Sequence, residues 1–346
     1  MSDKVPVTVL TGYLGAGKTT LLNRILSEPH GQKYAVIVNE FGEIGIDNDL
    51  VVGADEEIFE MNNGCICCTV RGDLVRIIDG LMRRKGKFDA IIVETTGLAD
   101  PAPVAQTFFM DDNVGRKAKL DAVVTVADAR WLQDRLKDAP EAKNQIAFAD
   151  VILLNKTDLV EPDALSEVEA RIRGINPYAK LHKTERCRIA LPEVLGRNAF
   201  DLDRIMEIEP EFLGGDGHHH HDHDHNHDHG HGHDHAHHHD GGLKHYHDEE
   251  MQSVSLKTDQ PLDPDKFFPW VQELVQIEGP NILRSKGILS FKDDDQRFVF
   301  QGVHMILDGD HQRPWQPGEK RESRIVFIGR KLPMDKIREG FAGCAA

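Results

Sequence analysis

The stretch GYLGAGKTT, Gly12–Thr20, constrains this chain more than any other. It comes after the apolar run VPVTVLT and leads into KTTLLNRIL, whose apolar residues have helical spacing. A G-x-x-x-x-G-K-[ST] loop between a strand and a helix turns successive N–H groups inward, where they surround phosphates at the helix N-terminus. Gly12, Gly15, Ala16 and Gly17 supply that backbone, and Thr20 continues it into the helix. Lys18 is expected to reach the β/γ-phosphates, and Thr19 to offer its hydroxyl to Mg²⁺.

Further along, the chain supplies a sheet to carry such a loop. Val5–Thr11, Tyr34–Asn39, Glu57–Met61, Phe88–Glu94, Asp121–Ala127 and Asp150–Asn155 are candidate strands, several of them apolar almost throughout, as parallel strands covered on both faces must be. Helical stretches such as DLVRIIDGLMRR and DALSEVEARIRG alternate with them. This predicts an α/β fold, a P-loop NTPase with a doubly wound, mostly parallel sheet, over residues 1–213. Residues 214–250 are rich in His and Asp and almost devoid of aliphatic side chains, which predicts a disordered linker. Residues 251–346 read as a smaller α+β domain: SVSLKTD, a helix in PDKFFPWVQELVQ, then ILSFKD, RFVFQGVHMIL and SRIVFIGRKL, with a short helix near Met334–Phe341. Trp270 and Trp315 are expected to pack in that unit, His182 and His304 to be structural, and Cys187 and Cys344 receive no role.

NKTD, Asn155–Asp158, comes after a buried strand behind the phosphate loop. The Asp158 carboxylate can accept the ring N–H and the exocyclic amine of guanine, a donor pair that adenine lacks, so GTP is the expected nucleotide. Asn155 would support either the loop or the base, and the Lys156 stem would lie over the base. Glu94 ends a strand and is the candidate acidic partner of Mg²⁺, with the Gly97 N–H three residues later aimed at the γ-phosphate. NEFGEIGID, Asn39–Asp47, reads as a switch loop whose acids Glu40, Glu43 and Asp47 are candidates for Mg²⁺ or another metal, Asp47 being assigned to Mg²⁺. Glu43 fits a solvated acidic loop as well.

GCICC puts three of the five cysteines together. A bridge between the adjacent Cys67 and Cys68 would be strained. Cys65, Cys67 and Cys68 precede a helix expected near Gly72, whose N-terminus favours thiolates. Three thiolates, or two and a carboxylate, suit tetrahedral Zn²⁺ or Co²⁺. A closed structural zinc would want four ligands from paired motifs, and a nucleophilic cysteine would want a nearby base; the sequence around GCICC offers neither.

In this order, GYLGAGKTT, VNEFGEIGID, NNGCICCTV, VETTGLADP and LNKTD resemble the CobW family of GTP-dependent metal chaperones, related to the accessory GTPases of hydrogenase and urease maturation. The resemblance extends to the C-terminal unit and to the His-rich insert. It implies a SIMIBI-type fold, GTP hydrolysis, a transition-metal site at Cys65, Cys67 and Cys68 with Glu40, delivery of Zn²⁺ or Co²⁺ to a client metalloprotein, a tie to cobalamin biosynthesis, and a homodimer dependent on nucleotide or metal. Two other classes of function fit the sequence: a non-enzymatic metal store built on the His tract, and a nucleotide-dependent assembly factor for a cobalt chelatase. The tract's neutral imidazoles and interleaved aspartates should bind several ions weakly. The formal net charge of -17 argues against a nucleic-acid surface, and apolar runs no longer than a strand argue against a membrane span, so a cytoplasmic protein is expected.

Overall fold

The computed structural model describes residues 4–39, 58–61, 69–83, 88–197 and 251–346. Among these, the first sheet contains β1 Val5–Thr11, β2 Tyr34–Asn39, β3 Ile58–Met61, β4 Ala90–Glu94, β5 Ala118–Asp128, β6 Val151–Asn155 and β7 Lys180–Thr184. Their order is β3-β2-β4-β1-β5-β6-β7, with every neighbouring pair parallel. The helices between them are α1 Lys18–Ser27, α2 Thr69–Met82, α3 Ala102–Met110, α4 Asp112–Lys117, α5 Leu132–Asp138, α6 Pro140–Phe148 and α7 Pro162–Ile175.

Covering on both faces explains the apolar strands. Val5, Val7 and Val9 of β1 point into a core shared with Leu74 and Ile78 of α2 and Ile172 of α7. Leu10 points the other way, to Leu21, Leu22 and Ile25 of α1. Alternation persists, but neither face meets water, so it leaves no polar trace in the sequence.

The second sheet is antiparallel: β8 Met251–Thr258, β9 Ile282–Leu289, β10 Gln296–Val303, β11 Ile306–Pro314 and β12 Ser323–Arg330, in the order β11-β10-β9-β12-β8. One face packs on α8 Pro264–Glu278 and α9 Met334–Gly343 through Phe267, Val271, Ile337 and Phe341. The other face turns Met251, Leu283, Val303, Val326 and Ile328 into the same buried cluster as Phe148 and Ile172. The two sheets therefore share a continuous core. Between the two sheets the Asp150 carboxylate pairs with Arg284 at 3.1 Å and with Lys286. Burial alone would push the Asp150 carboxyl up, but the two cations hold it below its ordinary value. The same burial pulls the Lys286 ammonium down to about 8.

The structure departs from the sequence expectations in several places, and of ILSFKD only Ile288 and Leu289 lie in a strand, β9 Ile282–Leu289. RFVFQGVHMIL is a hairpin rather than one strand: His304, at φ 53, turns β10 into β11. Helix α2 begins at Thr69, ahead of Gly72. Strand β7, KLHKT, is an additional edge strand whose polar composition hides it. No described helix is long and apolar enough to cross a membrane.

Candidate functional site

The carboxyl ends of β1, β4, β5 and β6 assemble the site, at the point where the strand order runs outward in both directions from the middle of the sheet. After β1 the chain turns at Gly12, with φ 141, where a Cβ would fall 2.1 Å from the Val126 carbonyl oxygen. Only glycine lets the phosphate loop pass so close to β5. Gly17, with φ 118, caps α1 and lies against β6: a Cβ there would fall 2.6 Å from Asn155 Nδ2. Ala16 is buried, Thr19 half-buried and Thr20 exposed at the helix start. The buried Lys18 ammonium donates to the Gly12 carbonyl at 2.8 Å, so the charged group expected to meet phosphate lies inside the loop itself.

Glu94 ends β4 opposite Leu10 of β1, and its side chain is buried. Thr95 anchors the segment after it, its N–H donating to Leu10 O at 2.9 Å and its hydroxyl to Thr11 Oγ1 at 2.9 Å. Gly97 then approaches the phosphate loop so closely that a Cβ would lie 2.6 Å from the Leu14 amide nitrogen. Gln145 of α6 holds this segment from behind, its Nε2 donating to Gly97 O and Ala99 O, each at 3.1 Å. Asp100 accepts from Ala102 N–H at 2.9 Å at the start of α3, and from Asn144 Nδ2 at 2.8 Å. Asn144 Oδ1 in turn accepts from Arg330 of β12 at 2.6 Å, so the loop after Glu94 is joined to the second sheet by side chains.

On the base side, Asn155 decides between its two possible roles. Its Nδ2 donates to Ala16 O at 2.9 Å, and its Oδ1 accepts from Cys187 N–H at 2.8 Å and from Thr184 Oγ1 at 3.2 Å. Both ends of the amide are engaged by protein, so Asn155 supports the loops. Lys156, with φ 62, donates to Gly15 O at 2.7 Å and pairs with Asp128 at 2.6 Å, which lays its stem along the phosphate loop. Asp158, in the helical turn Thr157–Leu159, presents an exposed carboxylate. A cleft of about 430 Å³ is lined by Tyr13, Leu14, Asp128, Trp131, Arg135 and Gln145.

Several roles at the site have no signature in the sequence. Cys187, a lone cysteine in the chain, is fully buried beneath the phosphate loop with Sγ 3.4 Å from Gly17 O. Burial pushes its thiol up to about 11, which suits packing rather than nucleophilic or ligand chemistry. Gln145, Asn144 and Asp128 are ordinary polar residues in sequence, and their roles depend on contacts made only in the fold. His182 and His304 are each held below the usual imidazole range, first by burial, as structural histidines would be. Trp270 packs against Phe327 and Phe341, and the Arg297 guanidinium lies over Trp315.

Glu40, Glu43, Asp47, Cys65, Cys67, Cys68 and residues 214–250 lie outside the described residues. The strand ends ahead of the acidic loop and the cysteine loop are described, and they are neighbours: Val38 pairs with Glu60, and Asn39 with Met61. Helix α2 begins at Thr69, directly after the cysteines.

Residues 6–183 match the nucleotide-binding domain family CobW/HypB/UreG, and residues 251–345 match the cobalamin synthesis protein CobW C-terminal domain. The chain is 34% identical to the zinc chaperone YjiA of Escherichia coli over 99% of both chains. It is 36% identical to the zinc-regulated GTPase metalloprotein activator 1 of Schizosaccharomyces pombe, over 95% of this chain and 83% of that protein. A crystal structure of Zn(II)-bound YjiA GTPase covers 99% of each chain, with a TM-score of 0.72 and 29% identity.

Proposed function

This chain belongs to the CobW family, and on that premise we propose that it is a GTP-hydrolysing metallochaperone that carries Zn²⁺ or Co²⁺ on Cys65, Cys67 and Cys68 and passes it to a client metalloprotein. One observation carries the reading: the phosphate loop, the base-side loop, Glu94 and the strand ends preceding Glu40 and the three cysteines share one edge of one sheet. A change in the loops that meet the γ-phosphate has only β4 and β2 to cross before it reaches the strand leading to the thiolates.

In this reading Gly12–Thr20 wraps the phosphates, Lys18 neutralises charge building between the β- and γ-phosphates, and the Gly97 N–H touches the γ-phosphate. The exposed Asp158 carboxylate accepts two hydrogen bonds from guanine. Thr19 and the buried Glu94 are hard oxygen donors on adjoining elements, a set that fits Mg²⁺, and Asp47 of the acidic loop would join them. When bound, Mg²⁺ supplies charge neutralisation on the triphosphate. The transition metal is cargo: a soft, thiolate-rich site with the Glu40 carboxylate binds it, and its release requires loosened coordination.

Two measurements on the full chain test the proposal. Lys18→Ala should lose GTP turnover, and wild-type turnover in that variant would remove the assigned site. Co²⁺ added to the wild type should give intense thiolate charge-transfer bands and tetrahedral d–d bands that Cys67→Ala lacks, and identical spectra would remove the assigned cargo site.

A further inference from the structure

Helix α1 carries a side chain that reaches from the phosphate-loop helix to the wall of the base site. The Arg24 guanidinium donates to Cys187 O through Nη1 and to Ile189 O at 3.2 Å through Nη2. Glu28, one helical turn on, fixes it: Arg24 Nε donates to Glu28 Oε1 at 2.7 Å. The segment it grips is a tight turn, with Arg188 N–H donating to Glu185 O at 2.9 Å. Both central residues are left-handed, Arg186 at φ 49 and Cys187 at φ 53. Turns of this type normally carry glycine or asparagine at those positions; here an arginine and a cysteine adopt them, and something must hold them there.

The contacts that hold them also touch both nucleotide loops. Cys187 N–H donates to Asn155 Oδ1, whose Nδ2 binds Ala16 O of the phosphate loop. Cys187 Sγ lies 3.4 Å from Gly17 O, and Thr157, next to Asp158, donates its hydroxyl to Thr184 O at 3.2 Å. The strained turn is therefore the common neighbour of the phosphate loop and the loop bearing Asp158. Arg24 is the contact that ties it back to α1 from outside those loops.

We infer that Arg24 is a positioning residue for guanine: by holding the turn 185–188 it keeps Asn155 and the Asp158 loop in register with the phosphate loop. The inference rests on Asp158 as the base reader. In this role Arg24 acts through the turn, by its bonds to Cys187 O and Ile189 O, rather than on the nucleotide itself. Losing it should impair the fit of the base and leave phosphate binding and the chemical step intact.

The experiment measures the affinity of the full-length chain for GDP and ADP, together with kcat and KM for GTP. Arg24→Met keeps the stem and removes the donors. It should weaken GDP about tenfold, which is about 1.4 kcal/mol, leave ADP unchanged and raise KM for GTP at unchanged kcat. Arg24→Lys, with one donor in place of the fork, should lose about threefold. Adding Arg186→Gly to Arg24→Met relaxes an exposed left-handed position without removing packing, and should recover at least half of the GDP affinity. Equal loss of GDP and ADP affinity, or no rescue by Arg186→Gly, would overturn the inference. Failure of the underlying reading looks different: the wild type itself would bind ADP as tightly as GDP.

Discussion

Replacing Asp150 by Asn should strip the interface between the two sheets of a buried anion while keeping its shape. The Asp150 side chain is 2% exposed and that of Arg284 3% exposed. Asp150 Oδ2 accepts from Val123 N–H at 2.7 Å, while Oδ1 accepts from Arg284 at 3.1 Å and from Lys286. Asn cannot carry the charge, and its amide directs a donor at one of the two cations or at Val123 N–H. Removing one partner of a buried ion pair costs about 3–5 kcal/mol, because the remaining charge is stranded. With the whole chain stable by about 5–15 kcal/mol, that is a large share. Urea unfolding at neutral pH, followed by tryptophan fluorescence (Trp270 and Trp315 report the second sheet), should show the variant losing that amount. A loss below about 1 kcal/mol would refute the argument that this carboxylate joins the sheets. The acid limb gives a second check. The folded carboxyl lies below 3.8, so its contribution is full above that ordinary value and is lost as pH falls through the depressed one. Asp150→Asn should lack that acid step. Lys286 acts in the opposite range: its folded value near 8 lies below its ordinary 10.5, so its burial penalises the charged form and the wild type gains stability as pH rises between the two.

Asp158→Asn should weaken GTP binding by about ten- to a hundredfold and narrow the preference over inosine and adenine nucleotides, measured by competition against a fluorescent GDP analogue. Gly97→Ala adds a Cβ 2.6 Å from the Leu14 amide, which must displace the loop proposed to meet the γ-phosphate. Its kcat should fall at least tenfold while GDP affinity stays within about twofold, as seen in single-turnover and equilibrium assays. Deleting residues 216–240 should lower the number of Co²⁺ ions bound at saturation while leaving one tight site with thiolate bands, counted by equilibrium dialysis.

How much of this molecule is legible in its sequence depends on where the determining contacts lie. Strands β1, β2 and β6 are plain because both faces are buried and the phosphate loop fixes the register of the first. Strand β7 is not, because an edge strand bearing Lys180, His182 and Lys183 has no apolar alternation to show. The hairpin at His304 is hidden for the opposite reason: apolar residues flank the turn closely on both sides, and the turn itself, His304–Met305, holds no Gly, Pro or Asn. Lys18, Thr19 and Asn155 announce themselves through spacing. Cys187, Arg24 and Gln145 do not, since each acts on residues far away in the chain; Cys187 Sγ meets Gly17 O across 170 positions. Asp150 reads as the first residue of a strand, and only the second sheet, bringing Arg284 and Lys286, gives it a function.

In the proposed function the nucleotide governs the cargo site. Strands β4, β2 and β3 lie side by side, and the segment after Glu94, proposed to sense phosphate, and the segment before the cysteines leave from the same edge. If GTP orders one loop in a way that completes the other, the Kd for Zn²⁺ or Co²⁺, measured against a competing chelator with Mg²⁺ and a non-hydrolysable GTP analogue, must be lower than with GDP. A coupling of about 1–3 kcal/mol corresponds to roughly 5–150-fold, and the metal must tighten the GTP analogue over GDP by the same factor. Equal metal affinity in the two nucleotide states would contradict the claim, leaving a GTPase and a metal site that do not communicate.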